Sequence, residues 1–463
     1  MNTKISQKKG FRTFIIIWLS QLLSMIGSGL IGFALAVWIF DQTGQATPFA
    51  LTALFSSLPR VLLSPVAGAL TDRWNRKKIM LIADSLAGLV TLVTAFLLFT
   101  GQMEIWMVYV ITAAGSIFGV FQHPAYTASI VMLVPKEQLT RANSMLQLGE
   151  AIETLVTPLL AGVLFGIIDM RGIIIIDLIT YLIALMTLIF ISIPQPEKGL
   201  EKLVVKTSLW EDIVFGWTYL VERRGLLGLL IYFALVNFFL NVSAVLIGPM
   251  ILSFGSPSSM GLAQSIMGAG FLVGSLLMSI WGGPKNNRVR LVILAISLAS
   301  IGFIVAGLRA SMLFIGTGLF ILTVFIPFGS GPSSALFASK VKPDVQGRVF
   351  ATRSMITQSI MPLAFILSGI LADNIFNPLL VEVGGLANTV IGDILGVGPG
   401  RGVGLMMTSS GLILLIVSGF AFANPRIRNI EKEIPDVVLD DDPSETGIHA
   451  EGEEKTALTP QPS

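Results

Sequence analysis

The sequence predicts an all-α membrane protein with twelve transmembrane helices in two six-helix pseudo-repeats and both termini in the cytoplasm. Three observations lead to this prediction. The chain of 463 residues is 53% hydrophobic and only 13% charged, whereas soluble domains carry about 25% charged residues. Its apolar residues fall into long runs, many near the length of about 20 residues that an α-helix needs to cross a bilayer. Its cations cluster in alternate loops between those runs.

The chain contains twelve apolar runs that qualify as membrane helices. Gly and Pro interrupt several of them, as at Pro59, Pro158 and Pro362, which membrane helices tolerate better than soluble ones. The first run is longer than the core of a signal peptide and lacks a small-residue cleavage site, so we expect it to be retained. The runs cover roughly residues 12–40, 46–70, 79–100, 104–133, 138–166, 172–193, 225–252, 257–282, 289–308, 311–339, 346–373 and 402–423.

The distribution of Lys and Arg predicts the orientation. With the N-terminus inside, 26 of the 30 cations fall in cytoplasmic segments. The outer loops hold only Arg171, Arg309 and Arg401, and Arg60 lies within a helix. Because cytoplasmic loops carry an excess of Lys and Arg, this split favours twelve helices with cytoplasmic termini in a cell membrane, either plasma or inner.

Composition divides the chain into four parts. We predict an N-terminal six-helix bundle over residues 1–193 and a C-terminal six-helix bundle over 225–425. The polar segment 194–224 between them is predicted to be a cytoplasmic linker, in which Trp210 to Leu220 forms an amphipathic interfacial helix. The acidic segment 426–463 is predicted to be a disordered cytoplasmic tail.

The two predicted halves are weakly similar in sequence. Arg141 and Gly162 in the first half align with Arg348 and Gly369 in the second at one common offset, as expected for a parallel repeat. The outer segment 374–401 is long and rich in Gly. It would either cap the outer mouth or form a surface excursion, and we favour the excursion.

Several function classes are disfavoured by residue content. The chain has no Cys and only two His, so we predict neither disulfides nor a metal site. No Gly-rich Lys loop for ATP and no nucleophile elbow occurs, so we predict no cofactor and no enzyme activity. A net charge of +2 gives no reason to expect nucleic acid. We expect a monomer in the lipid bilayer whose partner is a small molecule.

A short basic turn, Gly68-Ala-Leu-Thr-Asp-Arg-Trp-Asn-Arg-Lys-Lys78, joins the second and third predicted helices. It resembles the loop between those helices in the major facilitator superfamily. The resemblance implies that Asp72 pairs with a cation of the other half, so that a charge network closes the cytoplasmic side. Alternatively, the cations are only a topology signal. The residues assigned to this conformational latch are Gly68, Asp72, Arg73, Arg76, Lys78, Asp84, Arg141, Arg348 and Arg353.

Two further segments narrow the resemblance. Pro135–Met145 and Gln346–Phe350 are similar to the loops after the fourth and tenth helices of macrolide-efflux-like and siderophore-exporter-like transporters. This resemblance, which extends to about residue 425, implies export of an amphiphilic drug, natural product or siderophore by alternating access, and hence a role in multidrug resistance. The stretch Thr157–Gly162 only partly keeps the antiporter motif of the superfamily, so proton antiport is implied weakly. Alternatives are a lysophospholipid translocator of the same fold and a small-molecule importer.

Charged residues inside predicted helices are candidates for proton coupling, because burying them in hydrocarbon is costly. Glu150 and Glu153 share one face of the fifth helix. Arg60 lies about 15 Å into the second helix, at a depth comparable to Glu153, so that a pair with either Glu is plausible. His123 lies in the fourth helix. The alternative is a static ion pair that fixes helix packing, with His123 as a hydrogen-bonded structural residue.

The resemblance implies that the first, fourth, seventh and tenth helices line the cavity, and these helices carry uncharged polar groups among aromatic residues. Such a lining suits an amphiphile, and the cations that an importer of anions would need are missing. For any single aromatic residue, ordinary packing is the alternative. Asp84 and Asp177 lie in helices that are usually peripheral, so we expect packing or latch roles for them. The cavity candidates are Gln21, Phe33, Trp38, Gln122, Tyr126, Asn237, Phe238, Asn241, Phe325 and Phe328.

Overall fold

The computed structural model describes residues 2–191, 209–284, 286–341 and 343–433. Residues 192–208, which include about half of the predicted linker, lie outside the described residues, as do residues 434–463 at the end of the predicted tail. The side chains of Asp72 and Arg73 also lie outside the described part, although their backbone continues a helix.

Regular structure in these described ranges is entirely helical, as the sequence predicts. The short amphipathic helix expected near Trp210 is α6. The helices longer than five residues are α1 (Asn2–Thr43), α2 (Ala46–Arg73), α3 (Arg76–Phe99), α4 (Ile105–Leu133), α5 (Leu139–Phe190), α6 (Leu209–Glu222), α7 (Arg224–Leu252), α8 (Pro257–Trp281), α9 (Arg288–Leu308), α10 (Met312–Lys340), α11 (Pro343–Leu371), α13 (Val390–Leu395) and α14 (Arg401–Ala423), with α12 (Asn377–Leu379) a single turn.

Helix α5 accounts for two membrane crossings. Eleven stretches of the described residues are long and apolar enough to span a bilayer, and one of them, Lys136–Phe190, has 55 residues. Asp169 breaks this stretch with a left-handed backbone (φ 57°, ψ 179°), and its Oδ1 accepts a hydrogen bond of 2.7 Å from the Met170 N–H. The positive φ interrupts the helical backbone at Asp169, so a second helix starts after it. The twelve predicted crossings are therefore confirmed, with the fifth and sixth joined end to end.

The helix ends define two faces of the bundle. We call the face that holds the Trp74–Asn75 turn and the end of α14 the terminal face. The opposite face holds the connection between α11 and α14, residues 372–400, and we call it the loop face. Gly10 of α1 lies against the end of α4 at the terminal face, where a Cβ would meet the Leu133 carbonyl.

The segment after α11 is folded rather than extended. It starts with a π-helical turn, Ala372–Phe376, and includes α13. At its end, Arg401 is only 3% exposed, and its guanidinium donates a 2.6 Å hydrogen bond to the Gly307 carbonyl at the end of α9. The sequence predicts Arg401 as a loop cation, but in the structure Arg401 begins α14 and lies buried against the C-terminus of α9.

Close contacts between the two halves lie toward the loop face. The Ser258 hydroxyl at the start of α8 donates to the Gly162 carbonyl of α5 over 2.9 Å. We call such a line of contact between a helix of one half and a helix of the other a seam. Further along this seam between α5 and α8, the Ser265 hydroxyl donates to the Leu155 carbonyl over 2.7 Å. Small residues let the helices approach closely enough for these side-chain-to-backbone bonds.

Glycines also set the packing of α9 on α10. A Cβ built on Gly302 would lie 2.5 Å from the Gly318 carbonyl oxygen, and one built on Gly318 would lie 2.4 Å from that of Gly302. Both obstacles are backbone atoms, which cannot rotate away. The two glycines therefore hold this pair of helices at a separation that no larger residue permits.

We expect Gly302→Ala to destabilise the protein, because the added methyl group forces α9 away from α10; overpacking of this kind costs about 1–3 kcal/mol. Thermal unfolding of the detergent-solubilised protein measures the effect as a lower Tm. Gly419→Ala in α14 is the matched control, because a Cβ there meets nothing within 4 Å. Equal Tm values for the two variants would contradict the packing argument.

Candidate functional site

A large cavity lies within the N-terminal half and is closed at the far end by α8. Its volume is about 1140 Å³. It reaches from Phe49 and Met260, near the loop face, to Gly68 and Leu146, near the terminal face. Since the hydrogen bonds across the halves described above lie toward the loop face, the cavity opens toward the terminal face.

Among the described residues, six acidic or basic side chains line this cavity, and they divide into two walls. The first wall carries groups that are accessible to solvent, and the second carries two buried carboxylates from α3 and the second limb of α5. Carboxylates outnumber cations among them, since only Arg60 carries a fixed positive charge. The six are Arg60, Asp84, His123, Glu150, Glu153 and Asp177.

The accessible wall brings together three of the predicted proton-coupling residues. His123 Nε2 of α4 lies 3.8 Å from Glu150 Oε1 of α5, and the two side chains are 66% and 60% exposed. Glu153 follows one turn later on the same face, is half-buried and lies within electrostatic range of Arg60 and Glu150. This cluster holds two carboxylates and an imidazole in the open part of the cavity.

Arg60 lines the same cavity with an exposed side chain. The ion pairs with N–O distances of 4.0 Å or less that the described residues show are His123–Glu150 and Glu222–Arg223. The sequence suggested that Arg60 could pair with Glu150 or Glu153. In the structure, the charge of Arg60 acts on Glu153. The Arg60 guanidinium nevertheless lies more than 4.0 Å from the carboxylate oxygens of both Glu150 and Glu153.

The first buried carboxylate belongs to Asp84 of α3. It is 9% exposed and accepts a hydrogen bond of 3.2 Å from Gln21 Nε2 of α1. Gln21 in turn accepts one of 2.7 Å from Gln122 Nε2 of α4. A chain of three side chains on three helices therefore connects the open cavity to a buried acid.

The second buried carboxylate belongs to Asp177, which is 2% exposed. It accepts hydrogen bonds from Thr91 Oγ1 over 2.8 Å and from Ser28 Oγ over 3.5 Å. A Cβ on Gly27 of α1 would lie 2.9 Å from Asp177 Oδ1. Only glycine at position 27 therefore leaves room for the Asp177 side chain. Asp177 is thus packed against α1 while it lines the cavity.

The two buried acids contact the same face of α1 at two different levels. Gln21 and Ser28, their partners on α1, are seven residues apart, which is two helical turns or about 10 Å. The sequence predicts packing or latch roles for Asp84 and Asp177, in helices that are usually peripheral; in the structure both acids pack against α1 and also line the cavity. Helix α1 supplies Gln21 to one of them and Ser28 to the other.

Four of the predicted cavity residues line this cavity, namely Gln21, Phe33, Gln122 and Tyr126. Trp38 does not. It lines a second cavity of about 720 Å³ at the loop face. On α1 the two cavities are adjacent, since Ala36 lines the first and Val37 the second.

The other predicted cavity residues, all in the C-terminal half, line neither cavity. Their polar groups are satisfied within their own helices: Asn237 Nδ2 donates to the Phe233 carbonyl over 2.8 Å and Asn241 Nδ2 to the Asn237 carbonyl over 2.8 Å. The aromatic rings pack on neighbouring rings instead. These residues are Asn237, Phe238, Asn241, Phe325 and Phe328.

Three of the latch residues form hydrogen bonds within their own halves. Arg76 donates to the Ala128 carbonyl of α4 over 2.7 Å, and the Lys78 N–H donates to the Asn75 side chain that caps α3. In the second half, the Arg353 guanidinium donates to Ser333 Oγ over 2.9 Å.

Two further latch residues lie over aromatic rings. Arg141 lies over the Phe11 ring at 5.0 Å, and Arg348 lies over the Phe215 ring of α6 at 5.4 Å. Gly68 lines the mouth of the cavity. The pairing expected for Asp72 and Arg73 lies outside the described side chains.

Sequence reasoning missed several residues of the site. Thr91 donates to Asp177, and the Tyr181 ring lies where a Cβ on Gly88 would stand, 2.1 Å from its nearest ring atom. Met260 and Gln264 of α8 close the cavity from the other half. Tyr181 follows Asp177 by one helical turn, so the sequence predicts that both lie on the same face of the helix. No charged residue in α8 indicates from the sequence that Met260 and Gln264 belong to the site.

The sequence also matches known proteins. Residues 17–365 match the family model of the Major Facilitator Superfamily. Macrolide efflux protein A of Streptococcus pyogenes is 30% identical over 373 residues, which cover 78% of this chain and 90% of that protein. The enterobactin exporter EntS of Citrobacter koseri is 24% identical over 162 residues, 35% of this chain and 39% of that one.

Among solved structures, a bacterial homologue of the human lysosomal transporter Spinster, in an inward-facing and unoccupied conformation, superposes with a TM-score of 0.68. It shares 15% identity and covers 93% of this chain and 99% of its own. The chain belongs to the Major Facilitator Superfamily. It is therefore a multi-pass transporter of the cell membrane and not an enzyme.

The position of the cavity can be tested with single cysteines, because the chain has no native Cys. We expect Thr154→Cys, exposed in the cavity, to react with a water-soluble maleimide in the folded, purified protein. Ser243→Cys is the control, since Ser243 of α7 is 0% exposed and should react only after unfolding. Equal labelling of both cysteines would contradict the cavity described here.

Proposed function

We propose that this transporter exports an amphiphilic small molecule with a basic group, by alternating access and in exchange for protons. The observation that carries the proposal is the charge of the cavity wall: four carboxylates face one Arg and one His. Carboxylates attract a cation, and such charges inside a membrane protein mark substrate or ion pathways. Substrate export is also supported by the similarity to macrolide efflux protein A.

The size and apolar lining of the cavity support an amphiphile. About 1140 Å³ slightly exceeds the range of about 300–1,000 Å³ usual for small-molecule sites. Phe33, Phe118 and Tyr126 line it, so that aromatic surface is available beside the carboxylates. A bulky hydrophobic molecule with one protonated amine would satisfy both parts of this lining.

We place the terminal face in the cytoplasm. The turns and helix ends at this face hold most of the Lys and Arg of the chain, and cytoplasmic loops carry such an excess. With that orientation, the cavity opens toward the cytoplasm and is positioned to take up substrate from the inside of the cell.

Proton coupling is proposed for the accessible wall. Glu150 and His123 lie 3.8 Å apart in the open part of the cavity, and Glu153 lies one turn deeper beside the charge of Arg60. A positively charged substrate and a proton would compete for the same carboxylates. Binding of one releases the other, which is the exchange that antiport requires.

The test is uptake of a basic macrolide into everted membrane vesicles with an acidic lumen. We expect accumulation that a protonophore abolishes. We expect the double variant Glu150→Gln, Glu153→Gln to lose gradient-driven accumulation while still binding the macrolide, because an amide cannot carry the proton. Glu137→Gln is the matched control, since Glu137 is exposed at the terminal face and lies outside the cavity.

Two outcomes would contradict parts of this proposal. If the wild-type protein accumulates no macrolide under these conditions, the proposed substrate class is wrong. If the double variant still concentrates the macrolide and a protonophore abolishes the effect, the proton site lies elsewhere, and Asp84 or His123 becomes the candidate.

Closure of the terminal face is proposed to depend on the basic turn after α2. In the closed state, Asp72 and Arg73 would form the latch together with cations of the second half such as Arg348 or Arg353, with Asp72 as the acid that pairs with them. Asp72→Asn should then favour molecules open at the terminal face and slow transport, with membrane insertion unchanged. Transport at the wild-type rate by correctly inserted Asp72→Asn protein would refute this latch.

A further inference from the structure

Asp373 connects the two halves of the protein at the loop face. It lies in the π-helical turn that follows α11 and accepts three hydrogen bonds from the first turn of α2. The donors are the Ala46 N–H at 2.9 Å, the Thr47 N–H at 2.7 Å and the Thr47 hydroxyl at 2.6 Å. These bonds join residues 326 and 327 positions apart in the chain.

Helix α2 depends on this carboxylate for its N-terminal cap. Its own N-cap residue, Gln45, makes no side-chain capping bond. A carboxylate is well suited to the position, because it accepts the free N–H groups of the first turn and interacts favourably with the positive end of the helix dipole. The cap of a helix in the first half is therefore supplied by the second half.

The corresponding seam on the other side of the molecule lacks the carboxylate. There, α5 meets the first turn of α8: a Cβ on Gly162 would lie 2.9 Å from Ser258 Cα. Similarly, a Cβ on Gly369 of α11 would lie 2.5 Å from Thr47 Cα of α2. Gly162 and Gly369 are the pair that the sequence repeat aligns, so the two seams are related by that repeat.

One position distinguishes the seams. Asp373 follows Gly369 by four residues, whereas the residue that follows Gly162 by four is Gly166. A Cβ at Gly166 would have Ser258 Oγ at 3.9 Å as a neighbour, so the space for a side chain exists and is not used. Close helix packing is thus common to both seams, but the charged cap occurs at one. Packing alone does not require Asp373.

We infer that Asp373 is the latch of the loop face: its bonds to the first turn of α2 hold the two halves together there while the cavity is open at the terminal face. For the loop face to open, α2 and α11 must separate, and these three bonds must break. Asp373 is a positioning residue, acting on the conformational equilibrium of the transporter and not on the substrate. The π-helical turn that carries it is a type of distortion frequently found at functional sites.

The test measures the opening of the loop face directly. The chain has no native Cys, so spin labels can be attached at Gln42→Cys and Asn388→Cys, which are exposed at this face in the first and second half. Distance distributions from electron paramagnetic resonance in lipid nanodiscs then report the separation, without substrate. We expect Asp373→Ala to shift the population toward the long distance by about fivefold to tenfold, the range for loss of a charge-assisted cap. Asp373→Asn should shift it by less, because its amide oxygen still accepts from the first turn of α2.

Glu382→Gln is the matched control, because Glu382 is an exposed acid in the same connection; its distribution should equal that of the parent protein. A merely structural role for Asp373 would lower the Tm and leave the ratio of the two distances unchanged. Unchanged distributions in both Asp373 variants, in inserted and monodisperse protein, would overturn the inference.

A carboxylate introduced at the second seam tests whether the charged cap itself keeps the loop face closed. Gly166→Asp places a carboxylate beside the first turn of α8, at the position equivalent to Asp373. In the Asp373→Asn background, we expect it to restore the short distance and to lower the rate at which the loop face opens. We expect the restoration to be partial, because Pro257 at the start of α8 has no N–H where α2 offers that of Ala46; a shift toward the long distance instead would contradict a stabilising carboxylate at this helix N-terminus.

Discussion

The cost of placing a charge in hydrocarbon determines where the polar residues of this transporter lie. An ionised side chain inside a membrane needs a partner or access to water. Asp84 and Asp177 have partners, because Gln21, Ser28 and Thr91 donate hydrogen bonds to them. Glu150 has access to water instead, since it lies 60% exposed in the cavity beside His123. The cavity and the buried acids are thus two solutions to the same physical constraint.

The packing of the helices follows from a related constraint. In a bilayer, apolar side chains gain little from leaving lipid for protein, so helices associate through close van der Waals contact and short polar bonds. Gly302 and Gly318 show the first of these, with each backbone at the distance where a Cβ of the other would stand. Ser265 shows the second, with a 2.7 Å bond to the Leu155 carbonyl of the other half. Glycines are therefore needed where helices meet, and the cavity lies where they separate.

The seams at the loop face connect this packing to the transport cycle. The cavity opens at the terminal face because the halves touch near the loop face, through α5 with α8 and through α2 with α11. Alternating access requires the same surfaces to separate. Contacts of this kind must be strong enough to close the pathway and weak enough to break in each cycle. A few hydrogen bonds around Asp373 and Ser258 meet that requirement better than a large apolar interface would.

The sequence by itself determined the class, the number of crossings and the family resemblance, because these depend on local properties: the length of apolar runs, the position of cations and the short motif after α2. It also identified Gln21, Gln122, Glu150 and Glu153 as polar residues inside helices, and the cavity contains all four.

Only the tertiary structure decided which helix faces meet. It placed Asp84 and Asp177, in helices that are usually peripheral, on the cavity wall, and it placed Asn237 and Asn241 outside, where each amide bonds to its own helix. The bond between Asp373 and Thr47 joins residues 326 positions apart. Periodicity reports the side of a helix on which a residue lies, but the rotation of that helix against its neighbours is set by long-range packing, and a single sequence carries no local signal for it.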